Sequence, residues 1–79
     1  MTPDEIRAVL RRSVDKEVFL DLQGGESAHV KVVVFAEKED GDGIVADVIS
    51  AVHRKFDPDT KYYFEIRDIV RASLMSNLL

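Results

Sequence analysis

One well-marked helix start is followed by five strand-like segments crowded into about sixty residues by tight, acidic turns, an order that confines the chain to small, strongly bent β architectures. The helix start is Thr2-Pro3-Asp4-Glu5. Thr supplies the N-cap, Pro takes the first helical position, and Glu three residues on closes a capping box. Ile6, Val9 and Leu10 then recur at helical spacing, which predicts an amphipathic helix over about residues 3–13 with one narrow apolar stripe. Arg11 and Arg12 lie near its C-terminus, where cations complement the helix dipole.

From Glu17 the period changes to two. Val18, Leu20 and Leu22 alternate with Phe19, Asp21 and Gln23 until Gly24-Gly25 ends a first strand in a tight turn. Ala28 to Glu37 forms a second strand whose later part is apolar on both faces, as expected of a segment passing from a rim into a paired position. Asp40-Gly41-Asp42-Gly43 is a hairpin signal, because Asp-Gly pairs tolerate positive φ. A third strand is predicted from Ile44 to about Lys55. At roughly 3.3 Å per residue, two strands of this length overshoot so small a core unless glycines or bulges bend them. Phe56-Asp57-Pro58-Asp59-Thr60 makes the next connection. A fourth strand around Tyr62, Phe64 and Ile66 follows, then a very short turn near Asp68 and a fifth strand from Ile69 to about Leu74.

Length and charge narrow the function classes. At 79 residues the chain is one domain, residues 1–79, with a barrel over about 17–74 and a tail over 75–79. A core this thin needs reinforcement, and the absence of cysteine leaves self-association as the favoured remedy over disulfides. No apolar run approaches the ~20 residues of a membrane span. Met1 leads directly into polar residues rather than into a secretory signal, so the expectation is a cytoplasmic protein. The net charge of −4 argues against indiscriminate nucleic-acid binding, yet basic residues on the helix and beside the strands leave room for a local basic surface.

Leu10-Arg11-Arg12, Val18-Phe19-Leu20-Asp21-Leu22-Gln23-Gly24 and Phe64-Glu65-Ile66-Arg67-Asp68-Ile69-Val70, in this order of elements, resemble the Sm-like (LSm/Hfq-like) family over roughly residues 5 to 74. The resemblance implies an SH3-like small barrel and a homo-oligomeric ring of five to seven subunits, closed by pairing strand four of one subunit with strand five of the next. It also implies a single-stranded RNA site near the turn between those strands. Two positions depart from the pattern. Asp42 fills the acidic position, but Ala46 stands where the family has Asn, and Asp68 replaces the Gly that follows the motif's Arg.

Arg67 is the leading RNA-contact candidate, since ring symmetry would repeat it around a pore; pairing with Glu65, Asp68 or a neighbouring subunit's acid is its structural alternative. Tyr63 is the better stacking platform of the two tyrosines, and Asp42, Arg7, Arg11 and Arg12 complete the RNA-facing set. Tyr62, Phe64, Ile66, Ile69 and Val70 are the expected subunit interface, as edges costly to leave exposed on a monomer. His29 and His53 have no ligand spacing for a metal, the acidic hairpin lacks the distant Glu of an EF-hand, and no serine sits in a nucleophile elbow. The expectation is therefore neither an enzyme nor a cofactor protein. It is an RNA-binding ring or, as the alternative, a structural or protein-interaction oligomer that does not bind RNA.

Overall fold

The computed structural model describes residues 1–39, 41–51 and 60–75. Helix α1 spans Pro3–Arg11 and is capped as its sequence requires: the Thr2 hydroxyl accepts the Glu5 N–H at 3.2 Å, and the Glu5 carboxylate accepts the Thr2 N–H at 2.9 Å. These bonds, backbone donor first, hold the Glu5 carboxyl below its ordinary pKa. Their contribution is complete above the normal carboxylate range and is lost as pH falls through the lowered value.

The helix ends two residues short of the expected 13. Ser13 is fully buried, and its hydroxyl donates back to the Val9 carbonyl at 2.6 Å. This satisfies a terminal carbonyl that a continuing helix would have used. Asp15 then adopts φ +66°, its N–H donates to the Val32 carbonyl at 2.8 Å, and the Val32 N–H donates to the Lys16 carbonyl at 3.0 Å. The connection is thereby bonded to the sheet before the first strand begins.

The strands are β1 (Glu17–Leu22), β2 (Ser27–Ala36), β3 (Gly43–Ala51), β4 (Lys61–Glu65) and β5 (Ile69–Leu74), with a single 3₁₀ turn at Ile66–Asp68 between the last two. All neighbours are antiparallel, in the order β4-β3-β2-β1-β5. Gly24 and Gly25 turn β1 into β2 at φ +90° and +82°, a conformation that side chains resist. The second hairpin pairs Ala36 with Gly43 around a loop containing Gly41 at φ +147°. Asp40, the continuation of the third strand to Lys55 with His53 and Arg54, the Phe56–Asp59 part of the connection and tail residues 76–79 lie outside the described residues.

The long strands bend by bulges rather than by glycine. In the β2–β3 pairing Val33 is an extra residue on one strand and Ile49 on the other, and Val70 is the extra residue where β5 meets β1. Inward side chains from every strand, among them Val18, Leu20, Val30, Val32, Ile44, Val48, Phe64 and Ala72, form one core. α1 adds Ile6 and Leu10 by packing on β5, the 3₁₀ turn and β2.

The expected barrel does not close. The sheet is open between β4 and β5, because three residues of 3₁₀ turn carry the chain from one edge to the other, and the two strands do not bond to each other. The groups of that segment go elsewhere: the Ile66 N–H donates to the Asp42 carbonyl at 2.9 Å, and the Asp68 carbonyl accepts the Gln23 N–H at 2.9 Å. No described helix is long and apolar enough to cross a membrane.

Thr2→Ala removes the cap hydroxyl from the one helix that covers this core, and urea denaturation should show a loss of about 1 kcal/mol. An unchanged midpoint would mean that the helix end contributes nothing to stability.

Candidate functional site

The candidate site forms where three elements far apart in sequence are stapled together. Arg7 on α1 donates through Nε to the Asp42 carboxylate at 3.0 Å and through Nη1 to Asp4 at 2.8 Å. Asp42 lies in the β2–β3 hairpin, and its backbone carbonyl receives the Ile66 N–H from the turn after β4. Helix, hairpin tip and turn therefore share one residue.

Tyr63 on β4 belongs to the same cluster. Its hydroxyl donates to the Gly41 carbonyl at 3.3 Å, and the Lys38 ammonium lies 4.3 Å from its ring centroid, so one ring joins β4 to the hairpin loop by a hydrogen bond and a cation–π contact. Gly43 makes this possible. A Cβ there would stand 2.5 Å from the Phe64 carbonyl oxygen and 2.7 Å from the Tyr63 Cζ and hydroxyl oxygen. The sequence showed Gly43 only as a turn residue, whereas its need comes from a ring twenty positions away.

Arg67 follows this staple in the 3₁₀ turn, with its side chain 75% exposed and its guanidinium against the Glu65 carboxylate. Arg11 stands apart from the cluster, paired with Glu37 at 2.7 Å and lying 5.1 Å over the Phe35 ring. Arg12 is exposed at the helix C-cap. The structure thus brings Arg7, Asp42 and Tyr63 together, sets Arg67 next to them along the chain, and leaves Arg11 and Arg12 at the other end of the helix. Arg7 lies between two carboxylates, and Arg11 and Arg67 each meet one. Any anion that uses these cations must displace an acid of the same chain.

The expected interface residues divide by sheet face. Phe64, Ile66 and Ile69 are core side chains, each no more than 5% exposed, because they share the inward face with the β3 and β1 residues they pack upon. Tyr62 is half-buried at the core margin, and Val70 at its bulge is 43% exposed. On the outer face Phe19 and His29 meet at 4.9 Å, with the Glu17 carboxylate 2.7 Å from the imidazole Nε2, beside a shallow depression of about 170 Å³. Among the described residues no three His, Cys, Asp or Glu side chains gather as a metal site. Comparison with protein-family models, curated proteins and solved structures finds no match to this chain.

Gly43→Ala should destabilise the protein by roughly 1–3 kcal/mol and displace Tyr63, seen as a lower urea midpoint and a changed near-ultraviolet tyrosine signal. Retention of both would show that the hairpin and β4 are not in the contact described.

Proposed function

We propose that this protein is an Sm-like subunit of a homo-oligomeric ring of five to seven copies that binds single-stranded RNA through the repeated Arg67 turns. The observation that carries this reading is the open sheet. Among the described residues, β4 and β5 occupy opposite edges with no strand on their outer sides. An unpaired edge invites another chain, and a chain with one free edge at each end of its sheet can satisfy both by repeating itself around an axis. Three-quarters exposure puts the Arg67 guanidinium within reach of a phosphate or a base face.

A second reading, a ring that serves structure or protein contacts without RNA, is favoured by the acids on Arg7, Arg11 and Arg67 and by the net charge of −4. Titration of short U-rich and A-rich RNAs at low and moderate salt separates the two. The RNA reading predicts binding that weakens with salt, and Arg67→Ala should lower affinity and flatten the salt dependence. Absence of binding at low salt would refute it in favour of the second reading. A retained slope in Arg67→Ala would move the contact to the helix arginines.

A further inference from the structure

The two free edges are complementary in one register, and that register names the residues through which copies would join. On β4 the inward side chains are Tyr62 and Phe64, while Lys61, Tyr63 and Glu65 lie on the outer face opposite Asp47, Val45 and Gly43 of β3. On β5 the inward side chains are Ala72 and Leu74, opposite Leu20 and Val18, while Arg71 and Ser73 face outward opposite Asp21 and Phe19. Antiparallel extension of the sheet must set inward residues against inward and outward against outward, since a slip of one residue inverts a strand.

We propose that β4 of one copy pairs with β5 of the next so that Tyr62 stands opposite Leu74, Phe64 opposite Ala72, Tyr63 opposite Ser73 and Glu65 opposite Arg71 of the second copy. This deepens the ring reading and rests on it.

Three observations select this register. Tyr62 and Leu74 are the half-buried core-margin side chains of the two edge strands, and setting them opposite each other completes the burial of both. Shifting β5 by two residues in one direction sets inward Phe64 against outward, exposed Val70 at the bulge; shifting it in the other leaves too short an overlap. The chosen register also sets opposite charges on the outer face across the joint. Within the chain Arg71 is held only loosely, 3.9 Å from Asp21, with its side chain 66% exposed, so an approaching Glu65 can take it. Glu65 is the acid that lies on Arg67 within the chain, so the contact between copies competes with that pair and couples assembly to the charge state of the turn.

The test uses native mass spectrometry and disulfide trapping on the full chain, which has no cysteine of its own. Glu65→Arg and Arg71→Glu should each raise the dissociation concentration about tenfold or more, and the double reversal should restore it. Under oxidation, Tyr62→Cys with Leu74→Cys should give covalently linked multimers, because directly opposed residues place their Cβ atoms within disulfide range, while Tyr62→Cys with Ala72→Cys should not. Circular dichroism of each variant separates loss of contact from loss of fold. A wild type that stays monomeric overturns the ring reading itself. An oligomer indifferent to the charge reversals, or one that crosslinks through the shifted cysteine pair, overturns the register alone.

Discussion

The three-residue turn between β4 and β5 is the constraint on which the rest depends. A longer connection would let these strands come together and close the sheet within one chain. Instead the Ile66–Asp68 turn has its ends tied to the hairpin at Asp42 and to the β1–β2 turn at Gln23, so that β4 and β5 are delivered to opposite margins. The core then forms around an open sheet, and the chain keeps two edges with unspent hydrogen-bonding capacity.

That constraint links fold to site. Asp42 holds the turn through its backbone and the helix through its carboxylate, so Arg7, Tyr63 and the segment carrying Arg67 are positioned by one hairpin. The same economy limits the chemistry, since the cations so positioned already have carboxylates against them. Electrostatics favours a ligand here only when something draws those acids away or when symmetry sums several sites.

Local signals in the sequence carried much of the architecture. The Thr2–Glu5 box, the period-two runs from Val18 and from Tyr62, and the Gly24-Gly25 turn each specify their element through backbone geometry alone, and the structure has them. The stop of the helix before Ser13 was not legible, because it depends on the connection bonding to Val32 on another element. Nor were the positions of the bulges, which answer to how the strands must curve around a shared core. At the candidate site, the residue types were visible but their partners were not: the Arg7–Asp42 pair spans 35 positions, and the role of Gly43 exists only once Tyr63 lies across it. Alternation did assign Phe64 and Ile66 to one face, but only the folded sheet shows that this face is the core.

The central claim is that two edges of an open sheet satisfy each other between copies, and sedimentation equilibrium across micromolar concentrations tests it most directly. The account predicts a single closed species of five to seven times the chain mass. A monomer at every concentration would contradict it.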